Sequence, residues 1–234
     1  MLFVNEVADI VHKMVDQYSG ACNKNIGEAF LLVWKFNDVE VDEETGELIL
    51  KRNNRVAATA DMAVVSFCKC ICMIRKSYKL SKYSSNKDIR QLTSPNFRVN
   101  MGFGLHVGWG IEGAIGSDFK IDASYLSPNV NMASRLEAAT RQFGVPILVS
   151  GMLVEIMSAR TLSYLRQIDV VTVKGSIKPV ELWTCDMDLN LLENEQPRKT
   201  KESRSEKKMK KVRERIQRNR FKEACFSNQI QVSA

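Results

Sequence analysis

Several polar residues of this sequence could bind a phosphate group or a metal ion. Asn131 and Arg135 are four residues apart in a segment with helical spacing, so both side chains lie on one face and can reach one phosphate. Lys24 and Lys174 carry positive charge and can donate hydrogen bonds to a ligand. Glu28, four residues after Lys24, has a carboxylate of the kind that ligates magnesium. None of these residues specifies a chemistry alone, and an Asn-x-x-x-Arg pair on a helix is common.

Each candidate also has an ordinary structural explanation. A lysine beside a hairpin is usually solvated, a carboxylate at a strand end often binds nothing, and a lysine before Gly175 is common in turns. Asparagine and arginine also cover the exposed faces of many surface helices. His106 alternates with the apolar residues of its strand, so packing or hydrogen bonding explains it better than catalysis. The candidates therefore need a fold that brings them together.

The first half of the chain contains two long helices with strands between them. Apolar residues recur at helical spacing over residues 4–18, and Gly20 closes this helix. The segments CNKNIG and EAFLLVWKF predict two strands that meet in a tight hairpin at residues 26–27, the second strand being buried on both faces. Residues 38–54 are expected to form a polar insertion or exposed hairpin, and residues 55–78 a second helix.

The second half adds the remaining strands and one capped helix. Residues 79–97 form a polar linker, and residues 99–107 alternate as a strand with one packed face and one bare face. Glycines over residues 108–116 indicate a strand or turn that another group approaches closely. Ser127 caps a helix that runs to about Gln142, and the strand VPILVS, the short helix GMLVEIMS and a closing antiparallel hairpin follow. This order predicts an α+β fold with a mostly antiparallel sheet.

The net charge of +7 is concentrated near the C-terminus. Residues 198–222 contain 13 Lys or Arg against three Glu, which leaves 21 basic and 24 acidic residues elsewhere. We expect a folded domain over residues 1–187 and a polar, basic tail over residues 188–234. A solvated or disordered charge run is the more ordinary interpretation of the tail. The tail is also compatible with calmodulin, an acidic protein or an anionic membrane surface. Nucleic acid is a poor fit, because no aromatic residues interleave the charges and no nucleic-acid-binding fold is predicted.

The six cysteines do not indicate a disulfide framework. Cys68, Cys70 and Cys72 fall in one predicted helix, where alternate residues point about 200° apart and cannot converge on one metal. The N-terminus lacks the pattern of a signal peptide. No apolar run approaches the ~20 residues that span a bilayer, since Lys69 interrupts the longest one. We therefore expect reduced thiols in a cytoplasmic protein.

Four separated segments resemble the class III adenylyl/guanylyl cyclase catalytic domain: KNIGEAF, GFGLHVGWGIEGAIG, SPNVNMASRLEAATRQFGVPILVS and VTVKG. They occur in consistent order and spacing over roughly residues 3–186, which is far more specific than any one block. The resemblance implies a ferredoxin-like, palm-type α+β sandwich that lacks the family's first strand and helix. It also implies a head-to-tail pair of domains, with active sites at the interface and two magnesium ions held by acidic residues of one partner.

The resemblance assigns roles to individual residues. Lys24 occupies the purine-recognising position and favours ATP over GTP, and Ser124 aligns with the second purine-contacting position. Asn131 and Arg135 match the pair that stabilises the transition state, and Lys174 matches the lysine that contacts the terminal phosphates.

Three features depart from the family pattern. The segment that carries the first metal aspartate and the phosphate-cradling loop is not in this sequence, and Asp9 inherits no metal role because it lies in the first helix. Glu28 replaces the second metal aspartate; its longer carboxylate can ligate magnesium, but octahedral geometry tolerates misplacement poorly. Gly102 aligns with a phosphate-binding arginine and supplies no charge.

From these matches and departures we expect a domain that converts ATP to cAMP and pyrophosphate in intracellular signalling. Mg²⁺ or Mn²⁺ would be supplied through a metal-bearing partner domain in a homo- or heterodimer. The alternative is a catalytically inactive, cyclase-like scaffold or regulatory module. A third interpretation is that the sequence is a fragment of a longer cyclase.

Overall fold

The computed structural model describes residues 2–41, 48–85, 99–117, 119–172 and 179–189. Lys174, the end of the predicted linker and the basic tail lie outside these residues, and the domain boundary at residue 187 stays a prediction. Within the described ranges the chain has the predicted α+β order. Its elements are α1 (Leu2–Gln17), β1 (Ala21–Ile26), β2 (Ala29–Val33), β3 (Val39–Val41), β4 (Leu48–Leu50), α2 (Asn54–Lys76), α3 (Tyr78–Ser81), a 3₁₀ turn (Lys82–Ser85), β5 (Phe103–Leu105), β6 (Ile111–Ser117), β7 (Lys120–Leu126), α4 (Pro128–Phe143), β8 (Ile147–Ser150), α5 (Gly151–Val154), α6 (Ala159–Leu162), β9 (Leu165–Val171) and β10 (Val180–Cys185).

The largest described sheet has four strands in the order β5-β8-β10-β9. β9 and β10 form the predicted antiparallel closing hairpin, and β10 also pairs antiparallel with β8. β5 runs parallel to β8, with Phe103 opposite Ile147. All four residues of β8 are buried, which explains its continuous apolar composition.

The hairpin predicted at Ile26-Gly27 is confirmed. Ile26 pairs with Ala29, so Gly27 and Glu28 form a two-residue turn, and Gly27 has a φ of +63° that favours glycine. The expectation that β2 is buried on both faces is wrong, because none of its residues is fully buried. Among the described strands β2 pairs only with β1, so it belongs to a two-stranded ribbon and not to the middle of a sheet. β3 and β4 form the expected exposed hairpin within residues 38–54.

Helix α2 connects the main sheet to the β1–β2 hairpin. The Asn53 side chain caps it by accepting hydrogen bonds of 2.9 Å from the amides of Arg55 and Val56. The Phe67 ring lies 5.4 Å from Trp34 after β2 and 4.8 Å from Phe103 of β5, measured between ring centroids. Within the described ranges α2 is the one helix long and apolar enough to cross a membrane. This is weak evidence for a span, because its apolar face forms the core between α1 and the sheet.

Helix α4 covers the face of β5 that the sequence predicts to be bare, so that prediction is wrong. A Cβ added to Gly104 would lie 2.3 Å from the carbonyl oxygen of Ala133 and 2.3 Å from the amide nitrogen of Glu137. The helix backbone therefore rests directly on the glycine. Ser127 caps α4 and Gly144 ends it with a φ of +64°, both as predicted.

Candidate functional site

The two predicted phosphate-contacting residues of α4 lie on its exposed side. Asn131 and Arg135 are both exposed and one helical turn apart. Leu136 and Thr140, on the opposite side of α4, are 1% and 3% exposed. The packing of α4 on β5 thus fixes which way Asn131 and Arg135 face.

A hydrogen-bonded network around His106 holds the first turn of α4. His106 Nδ1 lies 2.9 Å from Ser150 Oγ, and His106 Nε2 lies 3.2 Å from Asn129 Oδ1. Asn129 Nδ2 in turn donates to the carbonyl oxygen of Trp109 at 3.0 Å. Burial lowers the pKa of His106, so the neutral ring is favoured, with Nε2 donating to Asn129 and Nδ1 accepting from Ser150. The hydrogen-bonding explanation for His106 is confirmed.

Asn129 and Ser150 were not among the residues selected from the sequence. The available signal was the position of Asn129 in the first turn of a capped helix, two residues before Asn131. Gly108 accommodates this network, because a Cβ there would lie 2.3 Å from the Asn129 side chain. The close approach of Asn129 to Gly108 agrees with the sequence prediction that another group lies against this glycine-rich segment. At Gly113, in contrast, a Cβ would meet nothing within 4 Å.

The predicted purine-contacting residues lie on two hairpins that touch each other. Asn23 Nδ2 of β1 donates to the carbonyl oxygen of Ala123 in β7 at 3.4 Å. The register of β1 shifts between Cys22 and Lys24, so Asn23 lies at a β-bulge that changes the direction of the following side chain. Lys24 and Ser124 each follow one of the two contacting residues. Ser124 is 5% exposed and Lys24 is half-buried. The strands that carry them, β1 and β7, contact each other.

A charged contact joins the same two hairpins on their other side. Lys35, after β2, forms an ion pair with Glu112 of β6, and its ammonium lies 5.9 Å from the centre of the Tyr125 ring. The hydrogen bond from Lys35 lowers the pKa of Glu112, and the same bond raises the pKa of Lys35. Because about half of each side chain is exposed, this pair orients the hairpins more than it stabilises the fold. Sequence reasoning did not select either residue.

The described residues do not fit a complete metal site. No group of three or more His, Cys, Asp or Glu residues within the described ranges is placed to hold a metal ion. Glu28 is exposed at the tip of the β1–β2 hairpin. A single exposed carboxylate does not supply the several oxygen ligands that magnesium requires.

The site therefore consists of two parts joined through one short connection. β7 carries Ser124 and ends at Leu126, and α4, which carries Asn131 and Arg135, begins two residues later. Ser127, between them, donates to the carbonyl oxygen of Trp109 at 2.5 Å and accepts from the amide of Asn129 at 3.0 Å. The buried hydroxyl of Ser124 on β7 and the exposed amide and guanidinium of α4 thus lie on the two sides of one strand–helix junction. This set of groups can recognise a polar ring and an adjacent anion.

Comparison with known proteins identifies the family of this chain. Residues 1–194 match the model of the adenylate and guanylate cyclase catalytic domain. An adenylate cyclase of Anabaena cylindrica is 25% identical over 182 residues, covering 77% of this chain and 31% of that protein. The chain therefore spans about a third of the length of this relative.

Solved structures show the same fold. A bacterial light-regulated adenylyl cyclase superimposes with a TM-score of 0.52 and 21% identity, over 79% of this chain and 43% of that one. The adenylyl cyclase CyaB from P. aeruginosa gives a TM-score of 0.50 and 18% identity, over 80% of this chain and 81% of that one. At these identities the likeness establishes the fold alone.

Proposed function

Because the chain belongs to the adenylate and guanylate cyclase catalytic domain family, we propose that it is the base-recognising half of an adenylyl cyclase pair. Domains of this family use ATP or GTP and often act as dimers. In this proposal the chain binds ATP, and the pair converts it to cAMP and pyrophosphate in the cytoplasm. A second domain of the same family supplies the carboxylates that hold Mg²⁺ or Mn²⁺.

The observation that carries the proposal is the contact between the β1–β2 and β6–β7 hairpins. The strands that carry Lys24 and Ser124 meet there, although the two residues are 100 positions apart in the sequence, and this supports a shared purine site. An ammonium donates hydrogen bonds and cannot accept them, so Lys24 suits the ring nitrogens of adenine. Ser124 has a hydroxyl that can accept from the exocyclic amine.

Asn131 and Arg135 give the proposed phosphate contacts. Both face outward from a helix whose position is fixed by Gly104 and the His106 network. In the proposed mechanism they donate hydrogen bonds to the α-phosphate while the ribose 3′-hydroxyl attacks it. Donors held rigidly where charge develops stabilise a transition state more than a ground state. Lys174, outside the described residues, is proposed to contact the terminal phosphates.

The β6–β7 hairpin is the proposed surface for the second domain. Every residue of β6 is exposed, and the ribbon carries several large apolar side chains. The most exposed of them are Ile111, Ile115, Phe119, Ile121 and Leu126, with exposed fractions from 50% to 99%. An apolar ribbon of this kind is typical of an interface.

A mixing experiment tests this function. The full chain is combined with a metal-competent class III adenylyl cyclase domain, and cAMP is measured by mass spectrometry. We expect Arg135→Ala to lower kcat by about 10²-fold with a much smaller change in the KM for ATP. Arg141→Ala is the matched control, because Arg141 lies on the same helix and forms an exposed ion pair with Glu137. Full activity of the Arg135→Ala mixture would refute the proposed role.

The absence of a metal-ligating group among the described residues supports a second candidate, a cyclase-like interaction module without turnover. Isothermal titration calorimetry separates the two proposals. An interaction module would form the pair yet bind no ATP, whereas the catalytic half binds ATP and loses affinity in Lys24→Ala. The basic segment 198–222 offers such a module a docking element for calmodulin, an acidic protein or an anionic membrane.

A further inference from the structure

Asn23 lies at an irregular point of the β1–β2 ladder, directly before Lys24. Cys22 pairs with Leu32, and Lys24 pairs with Leu31. Asn23 between them therefore has no residue opposite it on β2. Such a bulge adds one residue to one strand and changes the face that the neighbouring side chains occupy. The position of the bulge therefore decides the face on which Lys24 lies.

The two faces of β2 show which face this is. Phe30 and Leu32 pack against the main core cluster, so Leu31 between them points to the opposite face. Side chains directly opposite each other in an antiparallel ladder share a face. Lys24, opposite Leu31, thus lies on the face of the hairpin away from that cluster. Without the bulge, the register of the first pairs of β1 would place Lys24 opposite Phe30, on the core face.

The side chain of Asn23 ties the bulge to the neighbouring hairpin. Its Nδ2 donates to the carbonyl oxygen of Ala123 at 3.4 Å, where β1 and β7 contact each other. Elsewhere the same two hairpins are joined by the ion pair of Lys35 with Glu112. The hairpins therefore stay attached when the Asn23 amide is removed. What the amide adds is a fixed place for the bulge.

Stability does not explain an asparagine at this position. Its Oδ1 is buried and has no hydrogen-bond partner in the described part of the chain. A buried acceptor without a partner destabilises a fold, and an apolar group of the same shape avoids this cost. Ala123 is exposed, so water can bind its carbonyl oxygen once the amide is gone. A residue that breaks a rule of stability in this way indicates a role in a site.

We propose that Asn23 is a positioning residue that holds the β1 bulge so that Lys24 faces the base of the bound nucleotide. This inference rests on the proposed function, in which Lys24 recognises adenine. In Asn23→Leu the tie to β7 is lost and the bulge can move along β1. Lys24 then occupies the core face in part of the molecules, where its ammonium does not reach the base. Binding of the base weakens, whereas the triphosphate contacts of Asn131 and Arg135 remain.

Kinetics of the mixed pair test this proposal. The full chain is combined with a metal-competent class III adenylyl cyclase domain in excess Mg²⁺, and the cAMP formed by that domain alone is subtracted. We expect Asn23→Leu to raise the KM for ATP by about tenfold, the effect of one well-placed hydrogen bond, with a much smaller change in kcat. Inorganic tripolyphosphate, which has no base, should inhibit the wild type and the variant equally.

Urea denaturation of the same proteins separates positioning from a purely structural role. The midpoint for Asn23→Leu should equal or exceed that of the wild type, because the buried acceptor without a partner is gone. A lower midpoint with an unchanged KM would show that Asn23 serves stability alone and would overturn the proposal. Weaker inhibition by tripolyphosphate would also overturn it, because the loss would then not concern the base.

Two further variants separate this inference from the proposed function. If Lys24→Ala leaves the KM for ATP unchanged, the proposed function fails, and this inference fails with it. If Lys24→Ala raises the KM but Asn23→Leu does not, the proposed function stands and only this inference is wrong. Asn25→Leu is the matched control, because Asn25 is an exposed asparagine of the same strand that pairs regularly with Phe30. It should leave the KM unchanged, and an equal rise in Asn25→Leu would rule out a specific role of Asn23.

Discussion

Replacing Gly104 with alanine should separate α4 from the sheet. The new Cβ would lie 2.3 Å from two backbone atoms, the Ala133 oxygen and the Glu137 nitrogen, whereas ordinary contacts to a Cβ are 3.4–4 Å. Backbone atoms of a helix cannot rotate away, so the helix must move by about 1 Å. Overpacking of this kind costs typically 1–3 kcal/mol, and we expect about 3 kcal/mol because two backbone atoms are involved. For a domain of this size, that lowers Tm by roughly 6–12 °C.

Alanine substitutions at two other glycines give smaller expected losses of stability, against which Gly104→Ala can be compared. At Gly102 the added Cβ would lie 2.3 Å from Thr140 Oγ1, a side-chain atom, so Gly102→Ala should be rescued in part by Thr140→Ala. At Gly113 nothing lies within 4 Å, so Gly113→Ala should be close to neutral. The expected order of destabilisation is Gly104, then Gly102, then Gly113.

Urea denaturation followed by circular dichroism measures these differences, and cAMP formation in the mixed pair measures their effect on the site. A displacement of about 1 Å of Asn131 and Arg135 should lower kcat by up to ~10²-fold. If Gly104→Ala is as stable as Gly113→Ala, α4 does not rest on β5 as described. The reasoning about the position of the site then fails with it.

Three further changes test the supports of the site. Ser127→Ala should cost about 1 kcal/mol in a urea titration through loss of the α4 cap, whereas the exposed Ser134→Ala should cost nothing measurable. Burial lowers the pKa of His106, so the unfolded chain binds that proton more readily than the folded one. The unfolding free energy should therefore fall as the pH drops below about 6.5. His106→Gln should remove this part of the pH dependence. Leu148→Ala should cost about 2–5 kcal/mol by calorimetry, since Leu148 is fully buried, and an unchanged Tm would contradict its place in the core.

Local signals in the sequence predicted the individual elements well. The cap at Ser127, the left-handed Gly144 and the two-residue turn after Ile26 each follow from conformational preferences of the residues themselves. Such preferences act over a few residues, so they need no knowledge of the rest of the fold. The same holds for α2, whose apolar residues recur at helical spacing.

Contacts between distant segments were harder to predict. The hydrogen bond between Asn23 and Ala123 depends on how two hairpins dock, and the pattern of neither hairpin contains that information. The family resemblance assigned Lys24 and Ser124 to one site, and that assignment stays a prediction.

The glycines of the β5 segment show why composition alone misled the prediction of a bare face. A glycine removes the side chain from one face of a strand, and this leaves either open space or room for a close neighbour. At Gly102 and Gly104 the space is filled by α4. An arginine at position 102, as in the family pattern, would need its Cβ where Thr140 Oγ1 lies. The missing charge is therefore tied to the close packing of the helix that carries Asn131 and Arg135. Gly102→Arg alone should disturb that helix before it could add a phosphate contact.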